Sequence, residues 1–508
     1  MSFNISYYLL FTAVSLLIYF WLVPKKYQWC TLLLLCYAFY VIFAGFRLIL
    51  FMLYTTCIVY FSARVMNKVK RKKLLIFLVL LGNLSILAFY KWYPGLATLG
   101  NILIPYISSS GFSLPNLSLI LPLGISFYMF QAIGYLIDVY RKRIEPEQNI
   151  ARFALFISFF PQLRQGPISR HSELAGKLYE SRRFDFDNAK EGVILIIWGL
   201  FKKLVVADRL TIMVKTIFNS PDEYNGLYIL MGAVGSFITL YADFSGGVDM
   251  TRGTAQMFGI NLPLNFQRPF FSRSLSDFWN RWHVTLNTWW RDYIFYPLML
   301  SKPMTRFTRF VRRRISPELS RVIGVYIGIY IVRTINAMWH GAYTYYIAGG
   351  LYQSTLIVFG MILSPVFIKA IRFLKINTDC FSFRLFQMLR TFLLSCLGQI
   401  LWNKASLTLS VKAFISIFRD FNLFTVISQC SETLPGLTTR DMRILAVSFC
   451  VLLLVEILQE KGIQIRKTLV RQNLAFQWLV LLSGILFIVL FGKYGITYDA
   501  TSFAYQGF

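Results

Sequence analysis

The sequence predicts an all-α, polytopic integral membrane protein. Of its 508 residues, 56% are hydrophobic and 15% are charged, whereas soluble domains carry about 25% charged residues. Apolar stretches of bilayer length, about 20 residues each, recur from end to end. We therefore expect one continuous membrane domain over residues 1–508 with roughly eleven spanning or partly inserted segments.

The formal net charge of +29 is distributed in a way that favours a membrane over nucleic acid. The basic residues form short clusters between apolar segments, such as Lys70–Lys73 and Arg141–Arg143. Cytoplasmic loops of membrane proteins have this bias. The basic stretch Lys302–Arg321 is expected at the inner headgroups, with anionic lipid as its partner. No nucleic-acid partner is predicted.

The chain has three regions that differ in how often Gly, Pro and polar residues interrupt the apolar runs. The first, residues 1–91, is expected to consist of uninterrupted apolar helices. Tyr7–Val23 is predicted to be a retained span and Gln28–Ala63 a hairpin of two spans. Leu74–Tyr90 would then leave the cytoplasm and Leu117–Val139 would return. The seven cysteines lack paired or metal-ligand spacing and predict no disulfide framework.

The second region, residues 117–348, is the predicted catalytic core, because Gly, Pro and polar residues interrupt its apolar helices. Such breaks survive at membrane depth only where protein or a water-filled cavity satisfies the backbone. Phe153–Leu163, before Gly166-Pro167, is expected to form a re-entrant helix. Asp243 and Asp249 flank a glycine pair and should face protein or water. The third region, residues 351–508, returns to simple helices.

Candidate functional residues are most concentrated in Arg268–Pro297. Ser276 is predicted to cap a helix that starts at Asp277. On helical spacing one side of this helix carries four polar side chains beside an aromatic side; they are Asn280, His283, Asn287 and Arg291. Tryptophan and tyrosine beside arginine suit a helix at the headgroup level.

His340 is one of three histidines and lies in the apolar run Val322–Ala348. An ionisable residue inside the membrane is a candidate for function, and imidazole suits proton transfer near neutral pH. A buried histidine is also often a hydrogen-bonded core residue. His171, in a polar stretch, is predicted to be an exposed loop histidine. No metal-ligand cluster is predicted, and no local serine-nucleophile signature occurs.

The chain resembles the membrane-bound O-acyltransferase superfamily, and within it the bacterial branch of the alginate O-acetyltransferase membrane component. The matching stretches, in the family order, are Leu121–Tyr128, Tyr135–Arg141, Phe159–Gln162, Gly166–Ile168, Asp243–Gly246, Asn265-Phe266, Asp277–His283, Trp290–Tyr293 and Trp339–Ala342. The aromatic end at 503–508 is also similar to that branch. One departure is Trp402–Ala405, where the family has Phe-Arg-Ala, so no role of that arginine is carried over.

The resemblance implies a ring-like helical bundle, with re-entrant and interfacial helices, around a transmembrane tunnel. His340 matches the histidine regarded as catalytic, and His283 matches a second motif histidine. The implied activity is transfer of an acyl group, most simply acetyl from acetyl-CoA, from a cytoplasmic thioester toward an extracytoplasmic polysaccharide. The transfer would be direct or through an exported acyltransferase partner. No bound cofactor is implied, and the implied location is the bacterial cytoplasmic membrane.

Several residues keep two interpretations. The candidate catalytic residues are His340 and His283, and the candidate substrate-binding residues are Trp339, Asn280, Arg281, Asn287, Arg291 and Asp243. His283 contacts substrate or serves as a structural anchor. Arg281 and Arg291 bind donor phosphates or pair with Asp277 and Asp292.

Two alternative functions remain. Within the superfamily, the alternative is D-alanyl transfer toward teichoic acid from a carrier protein. From another class, the alternative is a transporter or flippase of a lipid-linked glycan, which would predict broken helices in two corresponding halves. The sequence contains no such internal repeat.

Overall fold

A computed structural model describes residues 5–107, 112–115, 117, 119–402, 407–422 and 434–494. The described residues form α-helices joined by short 3-10 and π-helical turns, and no β-strand occurs among them. The predicted all-α class is confirmed.

The N-terminal region contains four long helices. They are α1 (Ile5–Leu17, extended by a π-helical turn Ile18–Leu22), α2 (Gln28–Ala44), α3 (Ile49–Val65) and α4 (Lys72–Ile107). Gly45 separates α2 from α3 with a φ of +94°, a backbone conformation that costs glycine little. The predicted hairpin of two spans within Gln28–Ala63 is confirmed.

Two predicted boundaries in this part of the chain are wrong. Helix α4 continues 17 residues beyond Tyr90 and includes Pro94 and Pro105. The next helix, α5 (Ile125–Tyr140), begins eight residues later than Leu117. Gly124 has a φ of +70°, and a Cβ there would lie 2.1 Å from the carbonyl oxygen of Leu163. This close approach holds the chain in a turn before α5.

The middle of the chain alternates short and long helices. They are α6 (Ile150–Ser158), α7 (His171–Tyr179), α8 (Phe186–Leu200), a π-helical segment (Phe201–Ala207), α9 (Asp208–Asn219) and α10 (Gly226–Met257). Helix α6 has nine residues and is too short to cross a bilayer. The short, broken helix expected over Phe153–Leu163 is therefore observed, and its re-entrant placement stays a prediction.

The motif-rich region contains five helices. They are α11 (Leu275–Arg281), α12 (Val284–Trp290, continued by a π-helical turn Arg291–Phe295), α13 (Tyr296–Met299), α14 (Lys302–Arg314) and α15 (Pro317–His340). Two predictions for this region are wrong. Ser274, not Ser276, caps α11 by accepting a hydrogen bond from the Asp277 N–H. The predicted single helix breaks at His283, whose φ is +44°, so its four polar side chains do not share one helical face.

The remaining helices of the described residues are α16 (Thr344–Phe373), α17 (Phe381–Trp402), α18 (Leu407–Arg419), α19 (Thr439–Glu460), α20 (Ile465–Val470) and α21 (Leu474–Phe491). Residues 403–405 of the departing motif and the aromatic end at 503–508 lie outside the described residues.

Within the described part of the chain, nine helices are long and apolar enough to cross a membrane. The chain is therefore a multi-pass membrane protein. The expected number, roughly eleven, also included partly inserted segments. The ring-like arrangement around a tunnel stays a prediction.

The chain divides into two compact units assembled from separate segments. Unit 1 comprises residues 1–208, 240–264 and 444–507, and unit 2 comprises residues 209–239 and 265–443 with residue 508. These boundaries do not coincide with the three regions of the sequence. The prediction of one domain over residues 1–508 stays a prediction.

Candidate active site

His340 is the last residue of α15 and lies in unit 2 among aromatic rings. It is 7% exposed. Ring centroids of Trp339, Trp402 and Tyr346 lie 4.6, 4.9 and 5.8 Å from its imidazole. Trp402 stands nearly perpendicular to the imidazole, at 85°. The sequence placed Trp339 at this site, but Tyr346 and Trp402 reach it from α16 and α17.

Gly349 on α16 makes room for Trp402. A Cβ at Gly349 would lie 2.1 Å from Nε1 of Trp402, far inside van der Waals contact. The indole can keep its place beside His340 only while residue 349 has no side chain. The position of the His340 ring therefore depends on the packing of α16 against α17.

We expect Gly349→Ala to lower the catalytic rate about tenfold or more, because an ångström of misplacement near the reacting groups has effects of this size. Gly360→Ala is the matched control on the same helix, since a Cβ at Gly360 meets nothing within 4 Å. Initial rates of acyl transfer by the two purified variants test this. Equal rates would contradict the dependence of His340 on Trp402.

His283 is held at the break between α11 and α12. Its Nδ1 lies 3.0 Å from Oδ1 of Asn265, and that oxygen also accepts hydrogen bonds from the Thr285 N–H at 3.2 Å and the Thr285 hydroxyl at 2.8 Å. Because the backbone N–H is an obligatory donor, the shared atom is the amide oxygen and Nδ1 of His283 carries the proton. The geometry favours a structural role, and a catalytic role stays a prediction.

Burial lowers the pKa of His283 from its ordinary 6.5 to about 3. The folded protein therefore keeps this ring neutral, while the unfolded chain takes up a proton as the pH falls below about 6.5. Stability from this group is present above pH 6.5 and is lost toward pH 3. Replacing His283 with Gln should reduce the pH slope of the unfolding free energy between pH 6 and 4 by about 1.4 kcal/mol per pH unit. An unchanged slope would contradict the burial of a neutral ring.

Two hydrogen bonds join α12 to α15 next to this break. Asn287 accepts from Nη1 of Arg333 at 3.2 Å, and Nε1 of Trp290 donates to Asn336 at 2.9 Å. Asn287 also donates to the carbonyl oxygen of Trp282 at 2.6 Å. Asn336 and Arg333 lie four and seven residues before His340, so the three residues follow one side of α15.

The two arginines proposed for donor binding are paired with acids. Nε of Arg281 lies 3.1 Å from Oδ1 of Asp277, and Nε of Arg291 lies 3.1 Å from Oδ1 of Asp292. Asn280 is exposed. Donor binding by these three residues stays a prediction, and the ion-pair alternative for the arginines is observed.

Asp243 lies in unit 1 and belongs to a buried charge cluster. Nζ of Lys203 lies 2.7 Å from a carboxylate oxygen of Asp243 and 2.7 Å from one of Asp208. The neighbouring Lys202 pairs with Asp249 at 2.7 Å. The adjacent lysines lie in the π-helical segment Phe201–Ala207. These contacts join neighbouring helical segments, as expected of a carboxylate that faces protein. Substrate binding by Asp243 stays a prediction.

His171 is packed between aromatic rings, so its prediction as an exposed loop histidine is wrong. It is the first residue of α7, and its ring lies 4.8 Å from that of Tyr135 and 5.0 Å from that of Phe156. Burial lowers the pKa of His171 below its ordinary value. Within the described ranges no group of three or more metal-binding side chains occurs, and the prediction of no metal stays a prediction.

Comparison of the sequence with known proteins shows similarity to one family. The model of the membrane-bound O-acyltransferase family matches residues 147–311. A probable alginate O-acetylase of Pseudomonas syringae is 32% identical over 299 residues, which cover 59% of this chain and 52% of the relative. The chain is therefore similar to the membrane-bound O-acyltransferase family over residues 147–311.

Two further relatives are named for other acyl-transfer activities. A peptidoglycan O-acetyltransferase of Helicobacter pylori is 31% identical over 55% of this chain and 54% of the relative. A teichoic acid D-alanyltransferase of Bacillus subtilis is 28% identical over 50% of this chain and 62% of the relative. The chain thus spans about half the length of the curated relatives it matches. The matched stretch of the family model includes His283 and ends before His340.

Sequence reasoning missed four residues of the candidate site around His283 and His340. They are Asn265, Trp290, Arg333 and Asn336. Asn265 was quoted only as part of a matching stretch, and nothing marked it as the partner of His283. Arg333 and Asn336 do carry a signal, because polar residues inside an apolar run of bilayer length are costly without a partner.

Proposed function

We propose that this protein is a membrane O-acyltransferase that moves an acetyl group from a thioester to a hydroxyl group. The observation that supports this most is the buried imidazole of His340 at the end of a membrane-length helix, in a chain that matches the membrane-bound O-acyltransferase family over residues 147–311. Relatives named for O-acetylation of alginate and of peptidoglycan support the acetyl group and the polysaccharide acceptor.

The proposed step is one acyl transfer. Neutral His340 accepts the proton of the acceptor hydroxyl while the oxygen attacks the thioester carbon. The carbon–sulfur bond breaks, and the protonated imidazole returns its proton to the leaving thiolate. The products are an O-acetyl ester and a free thiol, and His340 is regenerated. General acid–base assistance of this kind contributes about 10²–10⁴ in rate.

The donor is proposed to be acetyl-CoA, supplied from the cytoplasm to a protein in the bacterial cytoplasmic membrane. Helix α14 supports this sidedness. Its buried side carries Met304 and Val311, and its exposed side carries Arg306, Arg309 and Arg313. A basic amphipathic helix binds anionic lipid headgroups, and basic segments favour the cytoplasmic face. The N-terminal end of α15, which follows α14, would then face the cytoplasm.

The acceptor is proposed to be an extracytoplasmic polysaccharide. The acetyl group would reach it directly or through an exported acyltransferase partner, as the resemblance to the alginate branch implies. A covalent acyl-partner intermediate is a direct consequence of the second route. Crosslinking of the protein in its native membrane, followed by mass spectrometry, would identify such a partner.

A second candidate is D-alanyl transfer toward teichoic acid from a carrier protein. The observation that favours it is the similarity to the D-alanyltransferase of Bacillus subtilis over half of this chain. In both candidates a hydroxyl group would attack the carbonyl carbon of a thioester, and His340 would be the base. The two candidates differ in the acyl group and in the molecule that carries it.

Membranes that contain the protein should attach radiolabel from acetyl-CoA covalently to glycan or to a partner protein, as an alkali-labile ester. Label from a D-alanyl carrier instead would support the second candidate. Movement of glycan across the membrane with no covalent label would contradict both candidates and favour a transporter or flippase.

A further inference from the structure

Arg333 is a cation in the middle of the membrane-length helix α15. Its guanidinium carbon lies 3.8 Å from the ring centroid of Trp279, and its Nη1 donates to Asn287 at 3.2 Å. The side chain is partly buried. Arg333 precedes His340 by seven residues, which places it about 10 Å along the helix from the proposed base.

The surroundings of Arg333 supply little to compensate its charge. Among the residues that the structure describes, no carboxylate forms an ion pair with Arg333, whereas Arg281, Arg291 and Arg209 each have one. One amide oxygen satisfies one of the five N–H donors of a guanidinium. A desolvated charge without a counter-ion is costly, so this position favours an anion from outside the chain.

Trp279 contributes a second donor at the same place. Its indole Nε1 is buried and meets no acceptor among the described residues. An indole N–H can only donate, and leaving it unsatisfied costs free energy. A buried indole N–H without an acceptor, beside a guanidinium that forms no ion pair with a carboxylate among the described residues, matches a ligand with several acceptor oxygens and negative charge.

We propose that Arg333 and Trp279 bind a phosphate of the acyl donor. The inference rests on the proposed function. Phosphate is the anion for which a planar guanidinium is best suited, since two parallel N–H groups bind two oxygens. Arg333 lies on the α14 side of His340, which is the side from which a cytoplasmic donor would enter. The sequence analysis gave binding of a donor phosphate as one interpretation of Arg281. The proposal assigns this contact to Arg333 instead.

The same chemistry could come from the phosphate of a lipid headgroup, so the test separates the two sources. Affinity for coenzyme A and for pantetheine, which lacks phosphate, is measured by equilibrium binding to the purified protein in detergent. Retention of phosphatidylglycerol is measured on the same samples. Binding is chosen because it does not require turnover.

Arg333→Met should weaken binding of coenzyme A about 10–100-fold, the effect of losing hydrogen bonds to a charged group, and should leave pantetheine affinity unchanged. Trp279→Phe keeps the ring and loses the N–H, so we expect a smaller loss, about 2–10-fold. Arg372→Met, at an exposed position of α16, is the matched control and should bind both ligands as the wild type does. If Arg333→Met does not fold, Arg333→Lys, which keeps the charge and loses the planar fork, should show an intermediate loss for coenzyme A only.

Equal affinity of wild type and the Arg333 variants for coenzyme A would overturn the inference, and weaker retention of phosphatidylglycerol would then assign the site to lipid. A loss in Arg281→Met without one in the Arg333 variants would overturn it as well. Equal losses for coenzyme A and pantetheine would show a structural role. A failure of the proposed function would give a different result. In that case the wild type would bind coenzyme A through Arg333 but would transfer no acetyl group.

Discussion

Replacing His340 with Ala is expected to lower the rate of acetyl transfer by about 10²–10⁴, while the protein stays in the membrane. The reason is that the hydroxyl group of a sugar is a weak nucleophile until a base accepts its proton. His340 is the imidazole that the structure buries among three aromatic rings at the end of α15. Single-turnover transfer of label from acetyl-CoA measures the effect.

The matched control for this substitution is His171→Phe. His171 packs on Tyr135 and Phe156 in unit 1, and phenylalanine keeps those ring contacts while removing the imidazole. This variant should transfer acetyl at close to the wild-type rate. If His340→Ala transferred acetyl at close to the wild-type rate, His340 would not be the base, regardless of the rate of the control variant.

Replacing Lys203 with Met should destabilise the protein by about 3–5 kcal/mol, because it leaves buried carboxylates without their cation. Lys203 is 2% exposed and pairs with both Asp208 and Asp243. The exposed pair of Lys190 and Asp187, at 3.2 Å, provides the control. Lys190→Met should change stability by about 0–1 kcal/mol. Unfolding of both variants in mixed detergent micelles gives the two free energies.

The cost of Lys203→Met should be partly recovered when its partners are also neutralised. In the triple variant with Asp208→Asn and Asp243→Asn, neither partner of Lys203 is left as a buried carboxylate. Replacing a whole buried ionic group is often close to neutral, whereas removing one member is not. Equal loss of stability in Lys203→Met and Lys190→Met would contradict the buried charge cluster.

The sequence predicted the helical class and most of the spans because these depend on composition along the chain. Bilayer length and apolar character identify α1, α2 and α3 directly, and the break at Gly45 follows from local glycine chemistry. The start of α5 could not be predicted in this way. It depends on the contact between Gly124 and the carbonyl oxygen of Leu163, 39 residues away in the chain.

The site was predictable in its residue types and not in its contacts. Helical spacing assumed one helix from Asp277 onward, but the left-handed backbone of His283 interrupts it. That conformation is stabilised by Asn265, and no local pattern reveals the pair. Similarly, the sequence alone does not distinguish the surroundings of Arg281 from those of Arg333. The sequence offered Asp277 as a partner of Arg281, and the structure shows that ion pair. The position of Arg333 on the indole of Trp279 appears only in the fold.

The dependence of acetyl transfer on pH tests most directly whether His340 is the base. A general base acts in its deprotonated form, so kcat/KM of the wild type should rise with pH through the ionisation of that base. That ionisation should be absent from the residual activity of His340→Gln. Retention of the same ionisation by His340→Gln would contradict the account.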